Sequence, residues 1–152
     1  MIKINLVCVG KLKEKFWVDA QNEYIKRLSK FCKFEIIEVA EKNFLPNSEQ
    51  VLEEEGKDIL SKLKGVSIAF DVEGKKISSQ EFAKLIESVA MKSSTLTFVI
   101  GSSCGLSNAV KTSVDRRLSF GDITLPHNLF RIVALEQIYR AFMINSGSTY
   151  HK

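Results

Sequence analysis

Cysteine is scarce in this 152-residue chain: Cys8, Cys32 and Cys104 are odd in number and far apart. No Cys-x-x-Cys pair occurs and only two histidines are present, so a structural zinc site is excluded and no metal is expected. Free thiols without an export signal fit a reducing compartment, and the expected location is cytoplasmic. Long hydrophobic runs are also missing. The longest, such as Ile132–Leu135 and Ala141–Ile144, fall far short of the roughly 20 residues that cross a bilayer, so no membrane partner is expected. Three nucleotide and hydrolase signatures are absent too. Without Gly-x-Gly-x-x-Gly a dinucleotide-binding unit is disfavoured, no P-loop occurs, and no Gly-x-Ser-x-Gly supplies a serine nucleophile turn.

What is present is an ordinary globular composition, 45% hydrophobic and 26% charged, with a net charge of +4. That charge permits a polyanionic partner without demanding one. The start alternates Ile2, Ile4, Leu6 and runs into Val7-Cys8-Val9, which reads as a strand rather than a signal peptide. Trp17, Ala20, Tyr24, Leu28 and Phe31 recur at helical spacing. Phe34–Val39 reads as a second strand. Ser48 is the expected N-cap of a helix carrying Leu52, Ile59 and Leu63, with Gly65 ending it. Val66–Asp71 is a third strand closed by the turn Glu73-Gly74-Lys75. Ser78 and Glu81 form a capping box opening a third helix. Leu96–Ile100 is a buried fourth strand, followed by a short helix from Ser107, a weak strand at Leu118–Phe120, and a long helix from His127 to Asn145. Strands alternating with helices predict one α/β domain over residues 1–152, a mostly parallel sheet with helices on both faces.

The last helix is apolar nearly all round, from Leu129 to Ile144. A helix covering one sheet face needs a single apolar stripe, so the second stripe predicts a two-fold partner. Ligands of an open parallel sheet bind beyond the carboxyl ends of its strands. Three segments fall there: Phe70–Gly74, Ile100–Gly105 and Phe120–Pro126. Gly101 and Gly105 let a ligand approach the backbone closely. On spacing alone, Glu136 and Arg140 read as an i,i+4 ion pair, and Tyr150-His151-Lys152 as a frayed tail.

These segments closely resemble the RlmH (YbeA-like) family of SPOUT methyltransferases. The matching residues are Phe98-Val-Ile-Gly101, Gly105-Leu-Ser, Leu118-Ser119, Thr124-Leu-Pro-His127, Arg131, Leu135–Phe142 and the terminal Tyr150-His151-Lys152. Ile4–Lys13, Tyr24–Arg27, Gly74-Lys75 and Ser78–Ala83 match as well. The resemblance implies a C-terminal trefoil knot, a homodimer, and methylation of N3 of a pseudouridine in 23S ribosomal RNA, at position 1915, on the assembled 70S ribosome. RNA rather than DNA is the expected partner. S-adenosyl-L-methionine is the expected donor, held by Phe70, Gly101, Ser102, Gly105 and the segment Gly121, Asp122, Ile123, Thr124, Leu125 and Pro126. The tail would reach a donor site across the dimer. Two departures from the family pattern fall in these loops. Ser102 adds a Cβ where glycine is usual, and Asp122 adds a charge near the donor.

Pseudouridine N3 carries a proton that must leave, and a nearby base is worth about 10²–10⁴-fold. Histidine as a residue type, with an unperturbed pKa near 6.5, suits that role. Of the candidates His151 and His127, His151 is preferred because a mobile tail can close over a bound nucleotide, and the rival reading is that water takes the proton. Tyr150, Lys152 and Arg140 are grouped with His151, Lys152 and Arg140 to hold phosphate or offset charge on the base. His127 and Arg131 are assigned to RNA contact. Two rival readings are a catalytically inactive ribosome-binding α/β-knot protein, which would not bind the donor, and a flavodoxin-like nucleotide module.

Overall fold

A computed structural model describes all residues, 1–152. The elements in chain order are β1 (Lys3–Val9), α1 (Lys15–Leu28), β2 (Lys33–Val39), α2 (Ser48–Lys62), β3 (Val66–Lys76), α3 (Ser79–Lys92), β4 (Thr95–Ile100), α4 (Asn108–Ser113), β5 (Arg116–Ser119) and α5 (His127–Asn145). The five strands form one sheet in the order β2-β1-β4-β3-β5, with every neighbouring pair parallel.

The pleat of the central strands divides the core in two. Ile4, Leu6, Ile68, Leu96 and Phe98 face one side and pack with Leu28, Phe82, Ile86, Leu135 and Ile138, so α1, α3 and α5 cover that face. Val7, Val9, Ala69 and Val99 face the other and pack with Ile59, Leu106 and Val110 of the α2–α4 layer. Near-continuous burial of β1 and β4 follows from helices on both faces.

Local signals account for most boundaries. The capping box is present: Ser78 Oγ accepts from Glu81 N–H at 3.1 Å, and Glu81 Oε1 from Ser78 N–H at 3.2 Å. Those bonds hold the Glu81 carboxyl below its usual range. Helix α2 is capped one residue earlier than expected, by Asn47, whose Oδ1 accepts from Gln50 N–H at 2.9 Å. Gly65 does not end that helix, which stops at Lys62. It sits at φ +66° before β3, where a Cβ would fall 2.0 Å from the Thr95 carbonyl oxygen. Its role is close approach to β4.

The third strand does not stop at Asp71. It continues to Lys76, and both Phe70 and Lys75 stand opposite Leu118 of β5. Residues 71–74 are therefore looped out of the ladder, a wide irregularity that aims a side-chain group away from the sheet. From β5 at the sheet edge the chain returns to α5, which packs against both α1 and α3. One face of α5 is buried through Arg131, Ala134, Leu135, Ile138 and Ala141, while Leu129, Ile132, Val133, Phe142, Met143 and Ile144 remain only half-buried. No helix is long and apolar enough to cross a membrane.

Candidate active site

The bulge of β3 and the carboxyl ends of β4 and β5 open into a cavity of about 1150 Å³, just above the roughly 300–1,000 Å³ of ordinary small-molecule sites. Three loops wall it. The bulge after Phe70 contributes Asp71, Val72 and Glu73. The loop after β4 contributes Ile100 through Leu106. The segment after β5 contributes Ser119 through Gly121 and Ile123 through His127.

The middle loop folds back on itself. Gly105 N–H donates to the Ser102 carbonyl at 2.8 Å, and a Cβ on Gly101 would fall 2.4 Å from the Gly105 oxygen. Gly105 at φ +90° and Gly121 at φ +127° adopt conformations open mainly to glycine, and nothing lies within 4 Å of where their Cβ atoms would be. Both present bare backbone to the cavity side of their loops, where peptide N–H and C=O groups can meet the polar edge of a ligand. The floor is aromatic. Phe70 stacks on Phe98 with centroids 5.3 Å apart, and meets Phe120 at 5.0 Å and Phe130 at 5.3 Å.

Of the residues expected to hold a donor, Phe70, Gly101, Ser102, Gly105, Gly121, Ile123, Thr124, Leu125 and Pro126 line this cavity. Asp122 does not, because its carboxylate turns outward to Lys76 Nζ at 2.8 Å. The Ser102 hydroxyl points behind the loop, donating to the buried Glu55 carboxylate at 2.7 Å while Cys104 N–H donates to it at 3.2 Å. The extra side chain thus braces the loop against α2. In the wall Asp71 meets both Arg117, at 3.0 Å, and Lys111, at 3.8 Å, while Glu73 is in no ion pair.

His127 lines the cavity, with Nε2 3.7 Å from Glu41. Arg131, one turn on, corrects its assignment to RNA. It is 1% exposed, and its guanidinium donates to Glu38 at 2.7 Å, Gln21 at 3.1 Å and the Gly10 carbonyl at 3.0 Å. Those bonds tie α5 to the β1 end and to β2, and leave no face for a phosphate.

The remaining candidates assemble elsewhere. Glu136 Oε1 accepts from Arg140 Nε at 2.9 Å, Arg140 Nη2 at 2.8 Å and the Tyr150 hydroxyl at 3.3 Å. Arg140 lies over the Tyr150 ring at 4.9 Å and places Nη1 3.0 Å from His151 Nδ1. A guanidinium only donates, so Nδ1 accepts and the ring proton sits on Nε2; the Gln80 side-chain amide 3.0 Å away then turns its oxygen, not its NH2, to that proton. Gln137 links Glu136, at 2.7 Å, to Ser79, also at 2.7 Å. The Glu136 hydrogen bond raises the Arg140 pKa. Burial, followed by the Glu136 charge, pushes the Tyr150 phenol up, so both stay protonated. Lys152 is exposed beside them.

Thirteen residues of α5 separate His127 from Arg140. At ~1.5 Å per residue the tail cluster stands about 20 Å from the cavity mouth.

Residues 2–151 match the family described as "Predicted SPOUT methyltransferase". Ribosomal RNA large subunit methyltransferase H of Lactobacillus helveticus is 51% identical over 159 aligned residues, covering 99% of this chain and 100% of that protein. The protein of the same name from Streptococcus pyogenes serotype M18 is 46% identical, with 99% and 100% covered. The chain belongs to the RlmH family of SPOUT methyltransferases.

Solved structures agree on the fold. The tRNA (m1G37) methyltransferase of Aquifex aeolicus superposes with a TM-score of 0.56 at 15% identity, covering 90% of this chain and 69% of that one. A probable methylase family protein from Haemophilus influenzae gives 0.53 at 13%, covering 99% and 70%. The α/β fold expected from the resemblance is therefore the SPOUT fold. In this RlmH-family chain the sequence reading named Phe120 only as the first residue of a ligand loop and missed Phe130, taken as helix core. It also missed Glu55 behind Ser102, and Ser79, Gln80 and Gln137 around the tail. For Glu55 the one available signal was a carboxylate between Val51 and Ile59, at a helix position otherwise occupied by core residues.

Proposed function

We propose that this RlmH-family chain transfers a methyl group from S-adenosylmethionine to N3 of a pseudouridine in 23S ribosomal RNA, position 1915. It acts in the cytoplasm on assembled 70S ribosomes and as a homodimer. The observation that supports the reading is that the loop cavity and the tail cluster stand at opposite ends of α5. The cavity has glycine-bared loops and an aromatic floor suited to an adenosine, and its one histidine, His127, is turned to Glu41. The tail cluster has a histidine and a cation, and lacks a cavity. The half-buried apolar face of α5 between them is the natural seat of a second copy, whose tail then meets the first copy's cavity.

The donor supplies an electrophilic methyl on a sulfonium, and no metal is called for. Each group of the chain then has a defined task. Gly101, Gly105 and the 121–126 segment would hold the donor through backbone groups. Phe70 and Phe120 floor the adenosine. Arg140, kept cationic by Glu136, offsets negative charge as N3 is deprotonated. His151 takes the N3 proton, but only after the tail moves, because Nδ1 is occupied by Arg140 and Nε2 already carries the ring proton.

The test is transfer of labelled methyl from S-adenosylmethionine to 70S ribosomes and to free 23S RNA, both from a strain lacking this protein. Label on a 23S pseudouridine, with ribosomes preferred, is the expected result. No transfer to either and no donor binding by calorimetry would leave a catalytically inactive ribosome-binding protein in its place. His151→Ala retaining full activity at neutral pH would remove the base assignment alone.

A further inference from the structure

The cations around the cavity differ in what they already hold. On the β5 side Lys76 faces Asp122, Arg117 and Lys111 share Asp71, and Lys75 and Arg116 are exposed in no ion pair, but no exposed aromatic ring lies beside them. On the β1 side the turn leaving Gly10 carries Lys11 and Lys13, both exposed and in no ion pair, whereas Lys15 is held by Asp19 at 2.6 Å. This turn borders the site. The Gly10 carbonyl accepts from Arg131, one helical turn after His127. A Cβ on Gly10 would fall 2.9 Å from the carboxyl group of Glu41, the residue that pairs with His127. His127 in turn lines the cavity.

Immediately beyond, at the start of α1, Phe16 is 61% exposed, with its ring 4.8 Å from that of Trp17 and inclined at 53°. Single-stranded nucleic acid is held by this pairing of features: cations follow the phosphates while bases stack on exposed rings. We infer that Lys11, Lys13 and Phe16 form the surface on which a single-stranded stretch of the substrate RNA docks, phosphates on the two ammonium groups and a base on the Phe16 ring. The inference rests on the reading of the chain as an RNA methyltransferase. It adds a direction of entry, from the β1 side, where free cations and an exposed ring lie together.

The test uses Lys11→Ala/Lys13→Ala and Phe16→Ala, with Phe16→Trp as the conservative variant. Methyl transfer to ribosomes from a strain lacking the protein is measured across a salt series. Anisotropy of a labelled oligouridine is read in parallel, with donor calorimetry and sedimentation. The lysine pair should raise KM for ribosomes without changing kcat, and flatten the slope of log(kcat/KM) against log salt by about 1.4–1.8, from ~0.7–0.9 per phosphate contact. Phe16→Ala should weaken ribosome and oligouridine binding by about 5- to 150-fold, and Phe16→Trp should restore it. Donor affinity and sedimentation should match the parent. An active parent whose variants keep the parental KM and salt slope overturns the inference. So does dissociation of the assembly by Phe16→Ala, which would make the ring a contact between copies. A parent that transfers no methyl, with variants that still lose oligouridine binding, would sink the methyltransferase reading and leave the RNA surface standing.

Discussion

Replacing Arg131 by Met separates a structural role from an RNA-binding one. Its guanidinium is 1% exposed and makes three hydrogen bonds, to Glu38, Gln21 and the Gly10 carbonyl. Removing one partner of a buried ion pair costs about 3–5 kcal/mol, because the other charge is left uncompensated. Glu38 keeps 29% side-chain exposure and can be partly rehydrated, which places Arg131→Met near the lower end, about 3 kcal/mol. For a domain of this size each kcal/mol moves Tm by ~2–4 °C, so the expected fall is about 6–12 °C. Glu38→Gln on top of Arg131→Met should cost less than the two singles added, by ~0.5–3 kcal/mol, since they share one interaction. The assay is thermal unfolding at fixed protein concentration, with ribosome binding in a salt series on the folded variants. A Tm within 1 °C of the parent, together with a salt slope shallower by ~0.7–0.9, would refute the structural assignment and return Arg131 to the RNA.

Gly101→Ala forces a Cβ to 2.4 Å from the Gly105 oxygen. The loop must open at a cost of about 1–3 kcal/mol, seen by calorimetry as roughly ten- to hundred-fold weaker donor binding, and parental affinity would show that the loop geometry is not needed. Cys104 is exposed on the cavity wall while Cys8 and Cys32 are buried. A thiol reagent should therefore modify Cys104 alone in the folded protein, and the adduct should block donor binding. Burial raises Cys8 and Cys32 from 9.0 to about 12. Their contribution is fully present below pH 9 and is lost as pH rises toward 12, because the unfolded chain ionises first. Denaturant midpoints should decline across that window, and less steeply in Cys8→Ala/Cys32→Ala. Glu136→Gln removes the shared acceptor charge of Arg140 and Tyr150. It should lower kcat with donor affinity unchanged, whereas weaker donor binding would place Glu136 in the wrong half of the site.

Much of the architecture was written in the chain. Alternation in Ile2–Val9, the capping box at Ser78 and the unbroken helix from His127 to Asn145 each stand where the pattern placed them. What escaped depends on contacts distant in sequence. The bulge at residues 71–74 is a matter of register against β5, and periodicity carries no register between strands. Arg131 was assigned to RNA as one of the residues matching the family, and the partners that bury it lie 93, 110 and 121 residues away. Ser102 was expected to press on the donor, but Glu55 draws its hydroxyl behind the loop. The cavity loops were legible as strand ends, and the tail residues only through the family resemblance. Their separation along α5 emerges only in three dimensions.

The central claim, one active site built from two chains, is tested by co-expressing Gly101→Ala and His151→Ala subunits and assaying methyl transfer to 70S ribosomes. Each variant alone should be nearly inactive. A mixed dimer gathers both lesions into one site and leaves the other intact, so a random mixture should recover about a quarter of parental activity. Mixtures no more active than the separate variants, with mixed dimers demonstrably present, would place cavity and tail of one site on the same chain and contradict the account.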